Sequence, residues 1–229
     1  MDILNILYTP VEIPEPPMFD RKKLKEWCAL NINQDLKNRK DGKLITSEDI
    51  YPWNIVYARR HHQWIGGFEK IFPELSEYFC KSYQLLESEL DAVVILPVKP
   101  EFTGAKYWHA DPDDIGLRLY LENDDCDRDF LLIKPTVYPY NSREELGNIP
   151  ENGITEKVQD KIYSAKILRQ TQGFYLNNVR GIHTVNVTHT NSKRMTVLIM
   201  AKNVPQRTKD LIISSAIKYP ELSITWSNG

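Results

Sequence analysis

The chain has 229 residues, a length that suits one large domain or two small ones and can bury a core without disulfide staples. Lys and Arg number 29 against 31 Asp and Glu, a net charge of −2 with pI near 6.2, so no bulk electrostatic pull draws it toward nucleic acid or an anionic membrane. Hydrophobic residues at 41% and charged residues at 26% are globular proportions and exclude a disordered chain. The three cysteines, Cys28, Cys80 and Cys126, form no CxxC pair and no disulfide framework. That pattern, with no basic, apolar leader at the start and no apolar run near the roughly 20 residues of a membrane span, predicts a cytoplasmic protein with no membrane partner.

Residues 1–19 carry Pro10, Pro14, Pro16 and Pro17 and predict an extended arm lying over the body. Asp20 is placed to cap a helix in which Leu24, Trp27, Cys28 and Leu30 recur at helical spacing, while Lys22, Lys23 and Lys25 mark its solvated face. A second cap stands at Thr46-Ser47-Glu48-Asp49. Residues 66–89, interrupted at Pro73, have the apolar spacing of two amphipathic helices, so the first ninety residues read as mostly helical. The histidines His61 and His62 read as surface, as does His189.

From residue 91 the apolar period shortens. Eight runs follow, at 92–98, 105–110, 116–122, 129–137, 161–168, 173–178, 183–188 and 194–201, rich in Val, Ile, Leu, Tyr and Thr. A polar stretch at 138–160 separates the fourth from the fifth and has the length of a functional insertion or lid. Asn177 and Asn178, just before His183, read as a turn, the alternative being hydrogen bonds in support of that histidine. A final helix spans 206–218. The predicted fold is mostly β: a double-stranded β-helix, or cupin-like jelly roll, braced by N-terminal helices and one C-terminal helix. We expect one domain over 1–229: an arm and helical brace at 1–90, the jelly-roll core at 91–201 with its 138–160 insertion, and a C-terminal helix and tail at 202–229.

His109 and Asp111 end the second run and His183 opens the seventh. Two imidazoles and a carboxylate are the ligand set of the facial triad that leaves open positions on ferrous iron. Residues two apart in a strand point to one side, so His109 and Asp111 can address a single metal. Arg194 and Thr196, two apart on the eighth run, offer a guanidinium and a hydroxyl, a seat for a carboxylate. Arg118 alternates with Leu117 and Leu119 and either faces the same cavity or points to solvent from an edge. By the same alternation Tyr107 shares the side of His109 and Trp108 faces opposite it. Tyr120 shares the face of Arg118, lining a pocket or packing in the core.

In order and strand position, His109…Asp111…His183…Arg194-Met195-Thr196 resembles the HxD…H…RxS/T pattern of the iron(II)/2-oxoglutarate-dependent oxygenases. The segment from His109-Ala110-Asp111-Pro112 through Leu117-Arg118-Leu119-Tyr120-Leu121 is similar to that of the aspartyl/asparaginyl β-hydroxylase family and its cis-prolyl hydroxylase relatives. The resemblance covers residues 105–201. Some members of that family have glycine where the metal carboxylate stands; with Asp111 this chain resembles the three-ligand members. The resemblance implies Fe(II) held by His109, Asp111 and His183, with 2-oxoglutarate and O2 as co-substrates. Arg194, Thr196 and Arg118 would bind the co-substrate, and no catalytic residue beyond the metal centre is implied. It further implies conversion of 2-oxoglutarate to succinate and CO2 with hydroxylation of an unactivated C–H bond, because halogenating relatives leave the Asp111 position vacant. The substrate would be a small molecule or peptide, an amino acid free or within a polypeptide, held near Tyr107, Trp108 and Tyr120; no nucleic acid is expected. The competing readings are a non-redox cupin-like protein, either a metal-binding isomerase or a small-ligand binding module, and a structural or interaction protein with both arginines exposed.

Overall fold

The computed structural model of the protein describes residues 2–31, 53–97, 115–122, 128–133, 162–166, 172–177, 183–187, 195–201 and 203–225. Eight strands form one antiparallel sheet: β1 (Ile6–Glu12), β2 (Trp53–Arg60), β3 (Gln63–Trp64), β4 (Asp91–Pro97), β5 (Ile115–Glu122), β8 (Gln172–Asn177), β10 (Met195–Met200) and β11 (Ile224–Thr225). Their order is β11-β1-β8-β5-β10-β4-β2-β3. A second antiparallel sheet is made of β6 (Arg128–Ile133), β7 (Ile162–Lys166) and β9 (His183–Val187), in the order β7-β6-β9. Both edges of the large sheet end in two-residue strands, too short to template pairing with another chain.

The pairing is nested. In terms of the eight runs, the first pairs with the eighth (β4 with β10), the third with the sixth (β5 with β8) and the fourth with the fifth (β6 with β7). From β5 onward the chain passes to the small sheet for β6 and β7, returns for β8, crosses again for β9 and returns for β10. This connectivity is consistent with a double-stranded β-helix core. The second run, 105–110, lies outside the described residues, as do the cap at 46–49, the 138–160 insertion, Cys126 and His189.

Among the described residues four helices accompany the large sheet: α1 (Arg21–Asn31), α2 (Phe68–Ile71), α3 (Pro73–Ser82) and α4 (Gln206–Lys218). Asp20 caps α1 as expected, its carboxylate accepting from the Lys23 amide at 3.0 Å. Pro73 stands at the start of α3, where its missing N–H is no loss. Leu24 and Trp27 of α1, Phe68 of α2, Phe79 of α3 and Ile212 of α4 pack in one apolar cluster with Val94, Leu117, Leu119, Val197 and Ile199. The helices thus cover one face of the large sheet.

The chain is therefore mixed α/β rather than mostly β, and the described part of its first ninety residues is strand as well as helix. They contribute β1, β2 and β3 to the large sheet. The arm is in part a true strand: β1 pairs with β8 along Tyr8–Glu12. Pro10 hid it, since proline cannot donate to a ladder. Among the described residues, β11 pairs with β1 at Ile6 and Tyr8 and not at Pro10. His61 and His62 form the two-residue turn between β2 and β3, with φ of 51° and 62°. The Asp91 carboxylate accepts both of their amide hydrogens at 3.2 Å, holding a left-handed turn made without glycine. Asn177 is not in a turn either. It closes β8, is buried, and its amide donates to the Leu4 carbonyl at 3.2 Å.

Candidate functional site

The face of the large sheet away from the helices has a different chemistry. Register fixes its members: Tyr120 stands opposite Thr196, Arg118 opposite Leu198 on one side and Phe174 on the other, and Tyr8 opposite Leu176. Directly opposed residues of an antiparallel pair share a face, so Tyr8, Phe174, Arg118, Tyr120 and Thr196 lie together across β1, β8, β5 and β10. All five are buried, with Arg118 at 6% and Thr196 at 4% exposure. Tyr8, Phe174 and Tyr120 are absent from the helix-side cluster. They form their own row, Tyr8 to Phe174 with ring centroids 5.5 Å apart and Phe174 to Tyr120 at 5.8 Å. Toward one end the face opens: Leu198 and Met200 are half-buried, while their strand neighbours Val197 and Ile199 on the helix side are fully covered.

Arg118 carries five N–H donors into this apolar wall, a geometry suited to a carboxylate. The Thr196 hydroxyl is buried with no hydrogen-bond partner among the described residues. Leaving such a group unsatisfied costs about 1–3 kcal/mol, so a hydroxyl retained here in place of valine points to a ligand. Burial, and the nearby Tyr120 phenol, push the Tyr8 hydroxyl well above its ordinary value. Tyr8 is therefore neutral at physiological pH and can donate a hydrogen bond. A buried guanidinium and a hydroxyl without a hydrogen-bond partner among the described residues, on one face of the sheet, have the chemistry to receive an acid anion such as a carboxylate.

Of the residues the sequence singled out, the structure brings Arg118, Tyr120 and Thr196 onto one face. The solvent-facing alternative for Arg118 is overturned, because it occupies a central strand and is buried. His183 opens β9 on the small sheet, paired in register with Leu132. His109, Asp111, Arg194, Tyr107 and Trp108 lie outside the described residues; Arg194 directly precedes β10 in the sequence. Among the described residues no group of three His, Cys, Asp or Glu side chains is gathered to hold a metal ion. Two members of the face were missed, Tyr8 and Phe174. Phe174 lies in the apolar run at 173–178, whose pairing partner could have placed it; for Tyr8 the prolines of the arm masked the strand signal.

No protein-family model matches the sequence, and no curated protein does. Among solved structures, EvdMO1 aligns at 15% identity and TM-score 0.42, over 89% of this chain and 50% of that one. AviO1 from Streptomyces viridochromogenes Tue57 aligns at 13% identity and TM-score 0.41, over 89% and 96%. The epimerase SnoN, in complex with Fe3+, alpha ketoglutarate and nogalamycin RO, aligns at 10% identity and TM-score 0.42, over 86% and 80%. This chain thus spans half the length of the EvdMO1 chain. Likeness at this level does not assign it to a family. No helix of the described residues is long and apolar enough to cross a membrane.

Proposed function

We propose that the protein is an Fe(II)/2-oxoglutarate-dependent dioxygenase that hydroxylates an unactivated C–H bond, with the two sheets forming a double-stranded β-helix within a single domain. The observation that carries this reading is the burial of Arg118 on the same helix-free face of the sheet as the Tyr120–Thr196 register pair. Thr196 is the threonine of the HxD…H…RxS/T pattern, and Arg118 and Tyr120 belong to the segment similar to the aspartyl/asparaginyl β-hydroxylases.

In this reading His109, Asp111 and His183 would hold the iron, which when bound supplies oxygen activation coupled to decarboxylation of 2-oxoglutarate. The rest of the work is done by the chain. Arg194, Thr196 and Arg118 bind the distal carboxylate of the co-substrate, the guanidinium groups by charge-assisted hydrogen bonds and the threonine by its otherwise orphaned hydroxyl. Tyr8, Phe174 and Tyr120 wall the seat with aromatic rings, which exclude water and strengthen those bonds. Asp111 favours hydroxylation over halogenation. Tyr107 and Trp108 flank the first ligand and are proposed to contact substrate, an amino acid or a peptide side chain, as the resemblance to the aspartyl/asparaginyl β-hydroxylase segment suggests.

The test is iron-dependent conversion of 2-oxoglutarate to succinate, stimulated by an amino-acid or peptide substrate. His109→Ala and Arg194→Ala should each abolish it. Full turnover in either variant would sink the site assignment, and metal binding without any conversion of 2-oxoglutarate would favour the non-redox cupin-like reading.

A further inference from the structure

We infer that Tyr83 is a positioning residue for the anion seat: its hydroxyl holds the Arg118 backbone from the helix side of the sheet and so fixes where the guanidinium stands on the other. The inference rests on the 2-oxoglutarate seat proposed above. Tyr83 follows α3, is fully buried, and belongs to the helix-side cluster. Its hydroxyl hydrogen-bonds the Arg118 carbonyl and lies 3.2 Å from that of Phe174. These are Cα partners across β5 and β8, and both of their side chains lie on the site face. Phenylalanine would fill the same volume without a polar atom to satisfy, so packing alone gives no reason for the hydroxyl.

The surroundings are built around that contact. A Cβ on Gly173 would come within 2.5 Å of the Tyr83 oxygen and 2.6 Å of the Arg118 carbonyl oxygen, so only glycine leaves the phenol room to reach the sheet. The main chain of Tyr83 is itself pinned. Thr208 of α4 donates its hydroxyl to the Tyr83 carbonyl at 2.6 Å, and Arg207 donates to the next carbonyl, that of Gln84, at 2.5 Å. Gln84 takes a left-handed conformation, φ 56°, where the chain leaves α3. A continuous set of contacts therefore runs from α4 through Tyr83 to the strand position that bears Arg118. Small displacements of a binding group are costly where recognition depends on a planar, two-point contact.

The experiment is an anaerobic calorimetric titration of the Mn(II)-loaded protein with two keto acids. One is 2-oxoglutarate; the other is 2-oxobutyrate, which keeps the chelating end and lacks the distal carboxylate. Tyr83→Phe should weaken 2-oxoglutarate about five- to tenfold, the effect of one hydrogen bond, and leave 2-oxobutyrate and Mn(II) unchanged. Equal weakening of both acids, or none, would reduce Tyr83 to a structural residue and overturn the inference. Should Tyr83→Phe fail to fold, Thr208→Val loosens the same anchor and must show the same selective loss. A wild-type protein that prefers neither acid would instead remove the anion seat itself, and with it the proposed function.

Discussion

Thr196 and Val197 are neighbours in β10, yet one shares its face with Arg118 and Tyr120 and the other packs in the helix-side cluster. The same contrast holds along β5, where Leu117 and Leu119 alternate with Arg118 and Tyr120. Both faces are almost equally shielded from water, so burial does not separate them. Chemistry does. The helix side is mainly hydrocarbon packed against hydrocarbon; the other side holds a buried arginine and a threonine hydroxyl with no hydrogen-bond partner among the described residues. A polar atom in a dry place is costly to the fold unless something binds there, and the proposed function assigns the ligand to that face.

That division predicts opposite responses on the two sides. The largest loss of stability is expected for Leu119→Ala, where a fully buried side chain on the helix face is cut back; about 2–5 kcal/mol should be lost in denaturant unfolding. Gly173→Ala comes next, at about 1–3 kcal/mol, because the new methyl overlaps the Tyr83 hydroxyl and the Arg118 carbonyl. Thr196→Val should go the other way. Exchanging an unsatisfied hydroxyl for a methyl of similar shape should leave the unfolding midpoint level or raise it by up to about 1 kcal/mol, while 2-oxoglutarate binding weakens. If Thr196→Val destabilised as Leu119→Ala does, the claim that this face is a binding surface would fail.

Much of this division is legible in the order of the residues. Alternation in Gly116–Glu122 and Met195–Met200 puts Arg118, Tyr120 and Thr196 on one side of their strands, and β5 and β10 bear this out in mutual register. The last helix has the bounds its apolar spacing suggests, 206–218. What stays hidden is non-local. Nothing in the residues around Tyr8 tells that β1 enters the sheet beside β8, because that depends on a partner far along the chain. In Trp53–Arg60 a strand of ordinary length ends in two arginines, and Arg59 is drawn inside by its ion pair with Glu87 at 2.8 Å and by the Leu90 carbonyl at 3.2 Å. The Tyr83 hydroxyl belongs to the same class: its partners are two carbonyls, and carbonyls leave no trace in a sequence.

The smallest effect lies at the rim, where Glu12 at the end of β1 accepts from Lys218 at 2.5 Å and from the Tyr219 hydroxyl, tying α4 to the arm. These hydrogen bonds hold the Glu12 carboxyl below the usual carboxylate value, and the same contact raises Lys218 above that of an ordinary lysine. A lowered carboxyl contributes stability above its unfolded value and loses it as pH falls through the folded one; a raised lysine contributes below its unfolded value and loses it as pH rises. Glu12→Gln should therefore cost most in the neutral range. Because both partners are half exposed, the shift in melting temperature should be on the order of one or two degrees. The gap between wild type and variant should close in acid, once pH has fallen through the lowered value of the folded carboxyl, and it should narrow in high salt. A gap that persisted unchanged in acid would mean that Glu12 holds α4 by packing rather than by charge.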